Sequence, residues 1–191
     1  QGHVEQEPVD WENGLHHIMT EMGQFLKLQG LRVSAISVTS QRASVIPVDR
    51  NGKLLYNAIT WQDKRSEVLC EELMDELSMP VIYRKTGLRA NPYFSLPKMM
   101  WLKQEMPDIY DKTYKLLGVQ DYVIYLLTGE FKTDWSQAAR TMLMNIKTFK
   151  WSQEMLSVSG INENLLCEMC APGAIAGSLR GDFAKAAGFQ Q

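Results

Sequence analysis

Residues 33 to 40, Val33 to Ser40, read VSAISVTS: small and β-branched side chains without strict alternation of polar and apolar positions. Such a run reads as a strand buried on both faces, which requires a parallel or mixed sheet covered by helices. Before it, Trp11, Leu15, Ile18, Met22 and Phe25 recur at alternating steps of four and three, one face of a helix that Asp10 caps and Gly30 ends. A helix leading into a doubly buried strand is a fragment of α/β architecture.

Ala43 to Val48 and Leu54 to Trp61 predict two more strands joined by the turn DRNG, with Pro47 demoting the first to an edge or bulged position. Beyond Arg65 the pattern turns helical. Val68, Leu69, Leu73 and Leu77 form a stripe that stops before Pro80, and SLPKMMWLKQE predicts a helix closed before Pro107. Tyr122 to Leu127 predict a helix ended by Gly129, and Asp134 caps WSQAARTMLM. Ser152 opens a helix that Gly160 ends, Asn162 caps ENLLCEM, and a Pro/Gly loop then leads to a last helix within residues 170–189. The expectation is one domain, mostly helical after residue 65.

The 191 residues carry a net charge of −2, too near neutrality for a dedicated nucleic-acid or anionic-membrane surface. No apolar run reaches the roughly 18–20 residues of a membrane span, and no basic-led apolar segment marks a secretory leader. Three cysteines are an odd, sparse set that suits a reducing compartment, so a cytoplasmic location is expected.

Few motifs carry chemistry. Cys167 and Cys170 form a CxxC, but no second CxxC or spaced His pair completes a zinc site, and the pair lies at an expected helix end. His17 and Glu21 stand one helical turn apart and read as a solvated contact. The sequence has no GxxxxGK[ST], GxGxxG or Gly-x-Ser-x-Gly, so it shows no complete catalytic centre.

Three clusters combine polar and aromatic side chains: Gln41-Arg42, the run Trp61 to Arg65 with Asp63 at its middle, and Pro92 to Ser95 with Tyr93. Ligand sites of α/β sheets lie outside strand carboxyl ends, where forked donors can fix hydroxyls and an aromatic plane can cover a sugar's C–H face. Alternatively, Asp63 and Arg65 form a surface pair worth about 0–1 kcal/mol, and Trp61 is ordinary core. Spacing alone leaves both readings open.

YFSLPKMMWLKQE, Tyr93 to Glu105, resembles the N-terminal signature of the FGGY carbohydrate kinases at Tyr93, Ser95, Lys98, Met99, Trp101, Leu102, Gln104 and Glu105. GHVEQEPVDW, the pair TSQRASVIPVD and LYNAITWQDKR, TDWSQAARTML and APGAIAGSL are also similar to family segments, so the resemblance runs along nearly the whole chain. It implies a ribonuclease H-like α/β fold of the sugar kinase/actin/Hsp70 type. It further implies a partial N-terminal, sugar-binding domain over residues 1–191, truncated at both ends, with the C-terminal ATP-binding domain absent.

By the same resemblance, Arg42 is the arginine that hydrogen-bonds polyol hydroxyls, Trp61 lies against the carbon skeleton and Tyr93 closes the pocket. Gln41 and Asp63 fall in the matching motifs, with Asp63 and Arg65 also readable as a scaffold pair. Ala43 departs from the pattern, since glycerol kinases carry a glutamate there and xylulokinases a histidine near it. The family's Asp-x-Gly-Thr hairpin and its Gly-Gly-x-Asp base do not occur in these residues. The parent is thus expected to transfer the γ-phosphate of MgATP to a sugar or polyol hydroxyl, with ATP and Mg held mostly outside this chain and no catalytic residue within it. The partners implied are the small-molecule acceptor and the protein's own C-terminal domain; a homo-oligomer is left open. The rival readings are a non-catalytic sugar-binding or regulatory module and a helical interaction module.

Overall fold

A computed structural model describes residues 2–186. In chain order its elements are β1 (Glu5–Gln6), α1 (Pro8–Gln29), β2 (Ile46–Val48), β3 (Ala58–Ile59), α2 (Glu67–Glu76), α3 (Met79–Thr86), α4 (Ser95–Glu105), α5 (Pro107–Lys112), β4 (Lys115–Leu117) and α6 (Val119–Thr128). They continue as β5 (Lys132–Asp134), α7 (Trp135–Ala138), a 3-10 turn (Ala139–Thr141), β6 (Met144–Asn145), β7 (Lys150–Trp151), α8 (Gln153–Ser159), a second 3-10 turn (Glu163–Leu165), β8 (Glu168–Cys170) and α9 (Gly181–Ala186). Residues 187–189, included in the expected last helix, lie outside the described residues.

β1 pairs antiparallel with β3, and β2 antiparallel with β4. Val45 and Ile59 exchange main-chain hydrogen bonds of 2.9 and 3.0 Å, which joins the two ladders in the order β1-β3-β2-β4. Pro47 is therefore not on an edge. Its carbonyl accepts from Leu55 N–H at 3.0 Å, so its missing N–H faces the interrupted ladder of residues 54–57 and no pairing with β4 is lost. β5 and β8 form a parallel pair, and β6 and β7 a short hairpin.

Two apolar clusters fill the interior. One gathers Leu73, Ile82, Leu96, Met99, Leu102, Leu143 and their neighbours under the helices after residue 65. The other packs α1, β2, β4, α6 and α9 through Met19, Ile46, Leu117, Tyr122 and Phe183. Each fully buried aliphatic or aromatic side chain contributes roughly 1.5–3 kcal/mol.

Several expectations are corrected. The run Val33 to Ser40 forms no strand: it carries no regular secondary structure, with Val33 38% and Ile36 44% exposed. Small β-branched residues signal a need for cover and for ladder partners, and none of the described residues pairs with this segment. Glu7, not Asp10, holds the N-cap position of α1 ahead of Pro8, without a side-chain capping bond; Asp10 lies in the first turn, and the helix buries Met19 and Gly23 while Ile18, Met22 and Phe25 stay exposed. Pro80 and Pro107 do not merely end elements; each opens the next helix, because the first-turn N–H it lacks has no intrahelical partner. The Asn162 cap starts only a 3-10 turn. Lys115 Nζ draws the carbonyls of Asn164 and Leu166 to itself (2.8 and 2.7 Å), and residues 168–170 pair with β5. Cys170 accordingly ends a strand, not a helix, and its thiol donates to the Thr133 carbonyl.

Candidate functional site

β3 delivers Trp61 to the surface at a defined point, because the main-chain N–H and hydroxyl of Thr60 both donate to the Val4 carbonyl (3.1 and 3.0 Å). The indole N–H of Trp61 donates to Gln41 Oε1 at 3.1 Å, and Gln41 Nε2 donates to Gln6 Oε1 at 2.8 Å. Trp61 is 36% exposed, so it is not core, and its ring lies 5.5 Å from that of Tyr93 at 53°. The two rings make an open wedge of the kind that can cover a C–H face.

Arg42 follows Gln41 directly in the chain. It is exposed and has no hydrogen-bond or ion-pair partner among the described residues. Ala43, which follows, adopts a left-handed φ of 66° and is buried. That reversal, costing about 1–2 kcal/mol for a non-glycine residue, comes where the extended segment enters the sheet, and it leaves Arg42 outside while Ser44 and Val45 turn inward. Ala43 lines a small enclosed cavity with Ser44, Ser95, Asp121 and Gln137.

Tyr93 sits on the loop before α4. Its N–H donates to Asn91 Oδ1 at 2.8 Å, and Phe94 meets it edge-on at 5.1 Å. Pro97 is tolerated in the first turn of α4, where N–H groups have no intrahelical acceptor. Lys98 is fully buried and folds back, so that Nζ donates to the carbonyls of Pro92 (2.6 Å), Tyr93 (2.7 Å) and Phe94 (2.9 Å). Burial pushes its pKa down to about 7, with Asp63 and Cys70 acting the other way. Sequence reasoning assigned Lys98 no role. The signal was available: it shares the inward helical face of Ser95 and Leu102, where an unpaired lysine is not expected.

Asp63 is in a different setting. Its side chain is buried, and it accepts from Arg65 N (2.9 Å), Arg65 Nε (2.9 Å), Arg65 Nη2 (2.8 Å) and Val4 N. Arg65 also donates to Glu5 Oε1 at 2.7 Å and lies 4.6 Å over the Trp101 ring. The expected surface pair is thus a buried one. Burial alone would raise the Asp63 and Glu5 carboxyls, but the hydrogen bonds from Arg65 outweigh it and hold both below the usual range. The structure brings Gln41, Trp61 and Tyr93 into contact at one surface, leaves Arg42 exposed next to Gln41 in the chain, and buries Asp63 against Arg65.

Arg140, which sequence reasoning also passed over, lies with its guanidinium carbon 5.7 Å from the Tyr93 ring centroid and 5.1 Å from that of Phe94. Nothing in its local pattern, an arginine in an alanine-rich turn, marks it out. Among the described residues no group of three His, Cys, Asp or Glu side chains stands together as a metal site. Asp63 and Glu5 are committed to Arg65.

Comparison with known proteins identifies the family of the chain. Residues 1–191 match the N-terminal domain of the FGGY family of carbohydrate kinases. A glycerol kinase of Thermococcus onnurineus is 41% identical over 181 residues, which is 92% of this chain and 36% of that protein. The crystal structure of a gluconate kinase from Lactobacillus acidophilus superposes with a TM-score of 0.90 at 28% identity, covering 99% of this chain and 38% of that one. A Plasmodium falciparum glycerol kinase, solved with ADP, gives a TM-score of 0.90 at 33% identity over 96% of this chain and 38% of its own. The chain therefore spans under two fifths of the length of these relatives. The expected ribonuclease H-like α/β fold of the sugar kinase/actin/Hsp70 type is the fold these neighbours have. Residues 1–191 belong to the FGGY family of carbohydrate kinases and carry its N-terminal domain.

Proposed function

We propose that this chain is the acceptor-binding part of an ATP-dependent carbohydrate kinase, which transfers the γ-phosphate of MgATP to a hydroxyl of a sugar or polyol. The observation that carries this reading is the Trp61–Tyr93 wedge, with its indole fixed by Gln41, whose chain neighbour Arg42 is exposed and unpartnered among the described residues. The wedge covers the acceptor's carbon skeleton and excludes water from one side, while Arg42 donates a fork of N–H groups to its hydroxyls. Gln41 sets the angle of Trp61, and Asp63 with Arg65 holds the strand end from which Trp61 projects. Phosphoryl transfer depends on positioning, metal and a base, and this chain supplies the positioning. The base lies C-terminal to these residues, and ATP with magnesium binds mostly outside them, at the C-terminal ATP-binding domain of the same protein. No described helix is long and apolar enough to cross a membrane.

The test is a phosphorylation assay with ATP, using this chain joined to a C-terminal kinase domain, against polyols, ketopentoses and aldonates. One of these acceptors is turned over, and Arg42→Ala raises its KM by about tenfold or more, as expected for the loss of charge-assisted hydrogen bonds. Turnover insensitive to both Arg42→Ala and Trp61→Ala would remove the pocket from these residues. If the chain alone binds an acceptor but the joined protein phosphorylates none, a non-catalytic binding module replaces the kinase reading.

A further inference from the structure

Beside the wedge lies a cleft of about 350 Å3, open to solvent and lined by Arg89, Asn91, Tyr93, Phe94 and Arg140. Its size is that of a small-molecule subsite. Two arginines from separate elements converge here. Arg89 comes from the loop after α3, and Arg140 from the 3-10 turn that packs on α4. Among the described residues neither guanidinium has a hydrogen-bond or ion-pair partner, although Arg140 Nε is shielded from solvent. The side-chain amide of Asn91 spends its oxygen on Tyr93 N–H and keeps its NH2 donor free. The cleft therefore offers donors and positive charge with no carboxylate to neutralise them.

Stacking on Tyr93 and Phe94 explains why Arg140 is held in place, but not why a second arginine and a free amide face the same space without an acid. Tyr93 is the shared element: one ring contacts Trp61 in the acceptor wedge and also lines the cleft. A molecule seated in the wedge can extend along Tyr93 into the cleft.

We propose that Arg89 and Arg140 form an oxyanion subsite that selects acceptors carrying a carboxylate or a phosphate ester over neutral polyols. The inference rests on the acceptor-pocket reading above and adds the chemical class of the acceptor. Paired guanidinium groups suit this ligand because each presents two parallel N–H bonds to two oxygens.

The experiment titrates the full chain with D-gluconate, with D-sorbitol as its neutral six-carbon counterpart, and with inorganic phosphate, following tryptophan fluorescence at low and moderate salt. Gluconate binds about tenfold or more tightly than sorbitol, the gain of about one charge-assisted pair, and the advantage shrinks as salt rises. Arg89→Met and Arg140→Met each cut the gluconate-to-sorbitol affinity ratio by about fivefold or more, whereas Arg140→Lys retains part of it. Arg89 is exposed, so its variant reports on the cleft even if Arg140→Met fails to fold. Equal affinities for gluconate and sorbitol, unmoved by either variant, overturn the subsite. If phosphate binds and both variants lose it while gluconate shows no advantage, the cleft holds a free anion and the acceptor assignment is overturned. If neither sugar binds but phosphate binding still depends on Arg140, the subsite stands and the acceptor-pocket reading is what fails.

Discussion

Lys98 Nζ donates a 2.7 Å hydrogen bond to the main-chain carbonyl of Tyr93, so a buried charge on α4 sets the position of an aromatic ring at the surface. Only the ammonium form has three N–H bonds for the three carbonyls of residues 92–94.

Replacing Lys98 with Met should leave those carbonyls without their donor and destabilise the fold by roughly 2–4 kcal/mol. Chemical denaturation measures the loss. In the joined kinase, acceptor KM should rise more than kcat falls, since Tyr93 positions substrate and does not react.

The same lysine gives the wedge a pH dependence. Its folded pKa is about 7, and its unfolded value is about 10.4. Between the two, the unfolded chain holds the extra proton, so this group's contribution to stability increases as pH rises through that window. Acceptor affinity should move the opposite way, weakening as pH climbs through about 7 and the third N–H is lost. Denaturation and fluorescence titrations from pH 6 to 9 test both slopes, and Lys98→Met should flatten them.

Asp63→Asn should behave as a stability variant more than a binding variant. Arg65 is buried against it, and removing the charge leaves a guanidinium short of its partner, a loss of roughly 3–5 kcal/mol. Because the Asp63 and Glu5 carboxyls are held below their usual range, their contribution is full above about pH 4 and fades as pH falls through the lower folded values. Acid unfolding of the wild type should therefore show this loss, and the variant should lack its Asp63 part. A folded variant with an undiminished melting temperature would show that the pair is not structural.

Asp121 titrates in the reverse sense. It is buried at the start of α6, where burial raises its pKa to about 6 while the Gly118 N–H, donating to Oδ2 at 2.8 Å, and Thr133 pull down. Its protonated form is favoured in the fold, so its contribution is present below about pH 4 and is lost as pH rises through about 6. Asp121→Asn keeps an acceptor for Gly118 N–H and should stabilise the chain at pH 7.5 by on the order of 1–3 kcal/mol. A thermal melt at pH 4 and pH 7.5 shows whether the gain is confined to the higher pH.

At the wedge, Gln41→Ala should free the Trp61 indole without removing the ring. A shift in Trp61 emission with an affinity loss of about two- to tenfold is expected, against a larger loss for Trp61→Ala. Identical losses in the two variants would mean that Gln41 contacts the acceptor itself.

Much of the frame was legible because it depends on local chemistry. Gly30, Gly129 and Gly160 end their helices in the left-handed conformation expected of them, and Asp134, Ser152 and Asn162 accept main-chain N–H groups as caps. The His17–Glu21 contact, one turn apart on an exposed face, likewise needed nothing beyond α1. Val33 to Ser40 was misread for the opposite reason. Its composition announces a buried strand, but pairing requires a partner elsewhere, and composition cannot supply one. α1 was phased on a real apolar stripe, yet its choice of Met19 over Ile18 and Phe25 as the buried face was made by α9 and Phe183.

The sequence by itself determined most helix ends and singled out Gln41, Arg42, Trp61 and Tyr93, since capping, turn formation and apolar periodicity act within about one turn of the chain; it left Lys98, Arg89 and Arg140 without a role. Only the tertiary structure decided what those residues do. It buried Asp63 against Arg65 and Lys98 beneath Tyr93, and brought Arg89 and Arg140 to one cleft across some fifty residues of intervening chain. Hydrogen-bond saturation, desolvation and the meeting of distant charges depend on distances through space, and no local pattern encodes them.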